Sequence, residues 1–305
     1  MLTYDDYVLQ CSSSGLSDAA SYLSSHGLYS DELSGMPLAY ITRSRLEELF
    51  TKGLERVSSE LLTFAGGDLK NAIGVITKRR EIAGVIDRAF QCGSGMAGNA
   101  EDFLASLTGT EYYGYVFDCM RGGRLDCGRL ESSLYSHYFD ILSSAAENAG
   151  DGDVADMINT VIDYRSVEVI IRARKTFGLN AEAIYPHLPP NKQREKRKGG
   201  RFSREELMSL CSMDDEALCA KLKRRFGADF PEKDFLGSNY RNMFLYKYYK
   251  KAFASMKPSF GVPFAFVGLC ETEHTNLVHI IEGLRYRLPP EKILECVATT
   301  QEVRT

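Results

Sequence analysis

The stretch that decides the fold reads EHTNLVHII over residues 273–281, and two similar stretches stand earlier in the chain. They read DLKNAIGVI over residues 68–76 and DYRSVEVII over residues 163–171. Each begins with an acidic residue, has Asn or Ser three positions later and continues as an apolar run, and the three align without gaps. A unit that recurs at intervals of about 100 residues matches the size of a small domain, so we predict three similar domains.

The acidic residue and the Asn or Ser of each copy predict the start of a helix. A carboxylate at a helix entrance interacts favourably with the positive end of the helix dipole. A side-chain amide one turn further on can hydrogen-bond a neighbouring helix or an exposed backbone group. We therefore interpret six residues as structural helix starts: Asp68, Asn71, Asp163, Ser166, Glu273 and Asn276.

Other signals along the chain also favour helices. Proline is absent from residues 38–185, and an interior proline costs a helix about 3 kcal/mol. Ser44 with Glu47, and Ser203 with Glu206, have the spacing of a capping box. After the second and third copies, matching tails at residues 178–184 and 287–293 predict a further short helix. Alternating strand patterns bounded by tight turns are hard to find, so the predicted fold class is all-α.

Composition excludes several classes of protein. The net charge of -4 gives no overall electrostatic reason to bind nucleic acid or an anionic membrane. The acidic N-terminal stretch lacks the pattern of a signal peptide, and no apolar run approaches the roughly 18 residues of a membrane span. Eight cysteines without a Cys-x-x-Cys pair suit reduced thiols rather than a disulfide framework or a zinc site. We expect a cytoplasmic protein.

No catalytic, cofactor or metal site emerges from the motifs. Residues 93–98 fit GxGxxG, but residues 85–90 before them read as helix, whereas a dinucleotide-binding loop follows a strand. The polar cluster of Glu271, Glu273 and His274 lacks further partners at ligand spacing. No phosphate-binding loop and no serine elbow occur. A nucleotide-using enzyme therefore remains an alternative that rests on the glycine loop alone.

Two basic features leave a second alternative open. Residues 192–198 read KQREKRK, and residues 240–251 interleave tyrosines with lysines. Such segments can bind RNA or acidic headgroups, or they can be a solvated linker and an amphipathic helix. They could equally contact the acidic part of a protein partner. A helical RNA-binding or protein-interaction scaffold is thus the alternative function.

The repeated unit resembles that of the C subunit of V/A-type ATPases, which corresponds to the d subunit of the eukaryotic enzyme. The strongest likeness lies in PFAFVGLCETEHTNL over residues 263–277, with Gly283 and LPPEKI over residues 288–293. Residues 163–184 are similar to the family's middle copy, and the resemblance covers most of residues 15–298. The chain departs from the pattern in Ser166, in a longer basic linker and in the apparent lack of the family's first helix.

This resemblance implies three helical domains around a pseudo-threefold axis, forming a funnel. We place domain 1 at residues 1–98, without the family's first helix, domain 2 at 99–190, a basic linker at 191–202 and domain 3 at 203–305. The family implies a non-catalytic adaptor between the central stalk (D/F-type subunits) and the membrane rotor ring (c/K-type subunits). It would transmit the torque that couples ATP hydrolysis or synthesis to H⁺ or Na⁺ transport.

Further expectations follow from the same resemblance. The chain would be cytoplasmic and peripherally membrane-associated through the ring, with no cofactor and no nucleic acid. Basic side chains on the second copy and on the Tyr/Lys stretch are the candidate contacts with partner subunits: Arg172, Arg174, Lys175, Lys247, Lys250 and Lys251.

Overall fold

A computed structural model describes residues 1–64, 67–94, 98–149, 152–184, 188, 202–226, 238–255 and 261–299. Within these ranges the regular structure is helical apart from one small β-hairpin, so the predicted all-α class is confirmed. No helix in the described ranges is both long and apolar enough to cross a membrane.

The described residues group into two compact units, residues 1–66 with 221–305 and residues 67–220. The division into three domains that the repeat suggests stays a prediction. The basic linker predicted at residues 191–202 lies outside the described residues except for Phe202.

The first unit contains helices from both ends of the chain. They are α1 (Tyr4–Cys11), α2 (Leu16–Leu23), α3 (Ser30–Leu33), a 3₁₀ turn (Leu38–Tyr40), α4 (Arg43–Phe64), α13 (Ser238–Ser255), α14 (Gly261–Arg285) and α15 (Pro290–Leu294). Helix α14 packs against α1, α2, α4, α13 and α15. Its apolar residues join those of α1 to α4 in one buried core, which removes the apolar surface of this helix from water.

The second unit is built on the long helices α5 (Gly67–Gly93), α8 (Cys127–Ala149) and α9 (Gly152–Phe177). Shorter elements complete it: α6 (Ala100–Ser106), α7 (Tyr113–Asp118), β1 (Met120–Arg121), β2 (Arg124–Leu125), α10 (Ala181–Ile184) and α11 (Arg204–Ser212). Helix α12 (Asp215–Phe226) begins in this unit and ends in the first. The antiparallel hairpin pairs Met120 with Leu125.

One of the two predicted capping boxes is correct. Ser203 Oγ accepts the Glu206 amide at 3.2 Å, and Glu206 Oε2 accepts the Ser203 amide at 2.8 Å, at the start of α11. The predicted box of Ser44 with Glu47 is wrong, because α4 begins earlier, at Arg43. There Thr42 Oγ1 accepts the backbone N–H of Arg45 at 3.3 Å.

Two glycines set how closely the neighbours of α14 approach it. A Cβ on Gly268 would lie 2.6 Å from the Tyr249 ring of α13, and a Cβ on Gly283 would lie 2.6 Å from Ile293 Cγ1 of α15. Both distances are shorter than real Cβ contacts, so any larger residue would push the helices apart. The fold therefore uses glycine here for close helix packing.

Candidate functional site: the buried polar residues of the repeat

The acidic residues of the second and third copies lie deep inside helices. Asp163 is 0% exposed and Glu273 is 1% exposed. Helix α9 begins at Gly152 and α14 at Gly261, about three turns upstream of each acidic residue. The helix-start interpretation is therefore wrong for Asp163 and Glu273, because the residues before them continue the helix. Asp68 lies in the first turn of α5, which begins at Gly67.

Glu273 holds the beginning of α1. The backbone N–H of Leu2 donates to Glu273 Oε2 at 2.6 Å, and the bond is buried. Leu2 directly precedes Thr3, the N-cap of α1, which forms a capping box with Asp6. Burying a carboxylate costs free energy unless it is hydrogen-bonded, so the position of α1 and the carboxylate depend on each other.

Asp163 makes the same contact in the second unit. The backbone N–H of Phe202 donates to Asp163 Oδ2 at 3.2 Å, again in a buried position. Phe202 directly precedes Ser203, the N-cap of α11, whose capping box includes Glu206. We call Asp163 and Glu273 the cap-docking carboxylates, because each accepts the amide of the residue before an N-cap.

The surroundings of the two carboxylates correspond as well. Helix α1 packs against α14 and α15, and α11 packs against α9 and α10. Ile293 of α15 and Ile184 of α10, which match in the sequence tails, are both fully buried. Each carboxylate thus lies on a long helix that packs against a docked capped helix and against the short helix that follows it in the chain.

This correspondence was not predicted from the sequence, although a signal for it exists. Residues 2–12 read LTYDDYVLQCS and residues 202–212 read FSREELMSLCS, and they align without a gap. Both carry an apolar residue, a Ser or Thr cap, an acidic residue three positions later, and Cys-Ser at the end. Cys11 and Cys211 are both buried. The similarity is short and divergent, and it becomes apparent only when the two helices are seen in equivalent places.

The Asn or Ser that follows the acidic residue has a different environment in each of the three copies. Asn276 binds the backbone of Ala298, near the C-terminus. Its Nδ2 donates to Ala298 O at 2.9 Å, and Ala298 N donates to its Oδ1 at 2.8 Å. Ser166 Oγ donates within its own helix, to Ile162 O at 2.9 Å. Asn71 is exposed. The predicted bond to a neighbouring backbone group is therefore present at Asn276, whereas the Ser166 hydroxyl turns back onto the helix that carries it.

Burial dominates the electrostatics around Glu273. It raises the pKa of the Glu273 carboxyl, an effect that the bond from the Leu2 amide partly offsets. Burial, with a smaller contribution from the Glu273 charge, also raises the pKa of Cys270 to about 12 and that of Tyr7 well above its usual range. Nucleophilic catalysis needs a lowered pKa or an adjacent base. The raised pKa values of Cys270 and Tyr7 therefore do not favour nucleophilic attack by either group.

An open cleft lies where α5 and α8 pack together. Its volume is about 470 Å³. Its lining mixes polar and apolar side chains: Asn71, Val75, His137, Asp140, Ile141, Ser144, Ala145 and Asn148. In the described part of the chain, no group of three or more His, Cys, Asp or Glu side chains is arranged to hold a metal ion.

The glycine-rich loop has the context that the sequence predicted. Residues 85–90 belong to α5, which ends at Gly93, so a helix and not a strand precedes the GxGxxG pattern. The arrangement of strand, turn and helix that binds a dinucleotide is therefore missing on the N-terminal side of this loop. Residues 95–97 of the pattern lie outside the described residues.

The candidate partner contacts on α9 engage in bonds within the second unit. Arg172 pairs with Glu131 at 3.2 Å, Arg174 donates to Leu210 O at 3.2 Å, and Lys175 pairs with Asp215. These side chains fasten α9 to neighbouring elements, so a partner would have to compete with those bonds.

The candidate contacts on α13 have a different setting. Lys250 Nζ lies 5.8 Å from the centre of the Tyr246 ring, which fits a cation–π contact. Lys251 is exposed and Lys247 is half-buried. Since these two are one turn apart, they share a face of the helix.

Comparison with known families agrees with the resemblance found in the sequence. A family model described as ATP synthase (C/AC39) subunit matches residues 94–296, two thirds of the chain. None of the curated proteins compared with the chain matches it. The matched range includes Asp163 and Glu273, their helices α9 and α14, and helix α11. The chain belongs to the ATP synthase (C/AC39) subunit family.

Proposed function

We propose that this chain is the non-catalytic adaptor in the central rotor of a V/A-type ATPase. It connects the central stalk to the membrane rotor ring and transmits the torque that couples ATP hydrolysis or synthesis to H⁺ or Na⁺ transport. The observation that carries the proposal is the family match over residues 94–296. The chain would then be cytoplasmic and held at the membrane through the ring.

The first helix of each region contacts the helix of the copy that precedes it, which supports three similar helical domains. Helix α11 begins the third region and docks on Asp163 of the second copy. Helix α1 begins the first region and docks on Glu273 of the third copy. Helix α6 begins the second region and packs against α5, the helix of the first copy. Each of these three helices thus contacts the helix of the preceding copy within its own unit.

Stiffness is the second property that an adaptor needs. Torque passes through a protein only if its elements do not slide, and close-packed interiors resist such deformation. The close contacts of α14 at Gly268 and Gly283 provide this resistance to sliding in the first unit. Buried hydrogen bonds to Asp163 and Glu273 hold the starts of α11 and α1, and those of Asn276 hold Ala298 after α15.

Of the candidate contacts on α13, Lys251 is exposed and Lys247 is half-buried. Lys251 and Lys247 present positive charge on one helix face, and an acidic surface on a stalk subunit would complement it. Arg172, Arg174 and Lys175 already pair within the second unit, so we expect them to contribute less to partner binding.

Affinity purification of the tagged chain from membranes tests the proposal. We expect stalk subunits and ring subunits to purify with it at fixed stoichiometry after detergent extraction. Recovery of the chain alone, under conditions in which the rest of the ATPase stays assembled, would refute the adaptor function. Strongly salt-dependent RNA binding in place of these subunits would favour the helical RNA-binding scaffold instead.

A charge-reversal pair then tests the contact surface. Lys247→Glu with Lys251→Glu should reduce the recovery of stalk subunits. The matched control, Lys52→Glu with Lys70→Glu, changes the net charge equally at exposed positions on α4 and α5 and should leave recovery unchanged. Equal losses in both double variants would show that net charge, and not the α13 surface, governs assembly.

A further inference from the structure

Two cysteines meet where the end of α5 packs on the start of α8. Cys127, the first residue of α8, directs its thiol to Ala89 O of α5 at 3.5 Å. The same sulfur lies 3.0 Å from where a Cβ on Gly93 would stand. The Cys127 thiol therefore rests on the last turn of α5, between Ala89 and Gly93.

Cys92 lies on that same turn. Positions 89, 92 and 93 are related by three- and four-residue steps and share one face of a helix. Burial raises the pKa of Cys127, the Asp126 carboxylate adds to the rise, and Cys92 is close enough to contribute as well. Both residues are thiols in this structure. The two thiols therefore lie at the same junction of α5 and α8.

Accessibility separates these two cysteines from several others. Cys92 and Cys127 are both partly exposed to solvent. Cys119, in the segment between them, is only 1% exposed, and Cys270 of α14 is 0% exposed. Since oxidation follows exposure as well as thiolate character, the pair at the end of α5 is open to an oxidant that cannot reach Cys119.

We propose that Cys92 and Cys127 form an oxidation site that closes to an intramolecular disulfide when a hydroperoxide is present. The Cys92 thiolate attacks one peroxide oxygen, and the O–O bond breaks, giving a sulfenic acid and, after protonation, water. Cys127 sulfur then attacks the sulfenic sulfur, loses its proton and releases a second water. Two thiols and one hydrogen peroxide thus give one disulfide and two waters.

The bond would join the two long helices of the second unit. It closes residues 93–126 into a covalent loop that includes α6, α7 and the β-hairpin. A cross-link of this kind restricts the unfolded chain and raises the unfolding temperature. The inference does not depend on the proposed rotor function, because it concerns only contacts within one unit.

Peptide mapping of the full chain treated with hydrogen peroxide tests the proposal. After free thiols are alkylated, trypsin with a glutamyl endoproteinase separates residues 89–101, 112–121 and 125–129. We expect residues 89–101 linked to residues 125–129, two of the eight thiols lost from titration, and full recovery of both after reduction. Cys119, on residues 112–121, should stay alkylated.

Variants make the assignment specific. Cys92→Ser and Cys127→Ser should each remove the linked peptide and the rise in unfolding temperature on oxidation, whereas Cys119→Ser should retain both. A linked peptide found only between separate chains, or one that joins Cys119 in place of Cys92, would overturn the proposal. So would oxidation of the wild-type chain that leaves all eight thiols titratable, a result that requires no variant to fold.

Discussion

Replacing Asn276 by Ala tests how the buried polar residues stabilise the fold. The Asn276 amide makes two hydrogen bonds to the backbone of Ala298, at 2.9 and 2.8 Å, and both residues are 1% exposed. The variant leaves the N–H and C=O of Ala298 buried without these partners. Each such group costs about 1–3 kcal/mol, so we expect the free energy of unfolding to fall by about 2–6 kcal/mol.

The variant should still fold, because other contacts hold this segment. His279 Nδ1 lies 2.9 Å from Cys296 O, and Ile293 and Val297 remain in the core. A loss of about 2–6 kcal/mol is nevertheless a large part of the roughly 5–15 kcal/mol that stabilises a domain. We therefore expect a native far-ultraviolet circular dichroism spectrum together with a clearly lower urea midpoint.

Asn71→Ala is the matched control for this experiment. Asn71 occupies the equivalent position of the first copy but is exposed, and such substitutions usually change stability by no more than about 0.5 kcal/mol. The chain contains no Trp, so circular dichroism should follow unfolding, and amide exchange at Ala298 should report the lost bond. Equal urea midpoints for the two variants, with Ala298 exchange unchanged in Asn276→Ala, would refute the reasoning.

Four further substitutions have defined outcomes. Glu273→Gln should remove the part of the pH dependence of stability that is due to Glu273. The pKa of Glu273 is raised in the folded protein. Its contribution to stability is therefore fully present below the ordinary value of 4.5 and is lost as pH rises through the folded pKa. The unfolding temperature of the Glu273→Gln variant, relative to that of the parent chain, should therefore rise from acid to neutral pH. Gly283→Ala should cost about 1–3 kcal/mol through overpacking on Ile293, whereas Gly74→Ala, with open space around it, should be neutral or stabilising by up to about 1 kcal/mol. Ser203→Ala should cost about 1 kcal/mol in urea titrations, because it removes the N-cap of α11.

The helical character of the chain was predictable because it depends on local signals. The lack of proline in residues 38–185, the apolar periodicity and the Ser203 capping box all act over a few residues. The short helix after each of the two later copies was predictable for the same reason, and Pro290 does stand in the first turn of α15.

The place of the acidic residues within their helices could not be predicted from the same signals. An acidic residue before an apolar run is typical of a helix start, yet Asp163 and Glu273 lie in mid-helix, where a distant amide hydrogen-bonds to each. That amide comes from Phe202 in one case and from Leu2 in the other, far away in sequence. Only the packing of α11 and α1 shows which residue satisfies the buried carboxylate.

In the proposed function, this chain transmits torque and does not itself hydrolyse ATP. It is tested most directly by assembling the ATPase in lipid vesicles with and without the chain, and measuring ATP hydrolysis and ion uptake together. Without the chain, we predict that the catalytic sector still hydrolyses ATP while ion uptake is lost, and that adding the chain restores uptake. Full ion uptake without the chain, or loss of hydrolysis by the isolated catalytic sector when the chain is omitted, would contradict the claim.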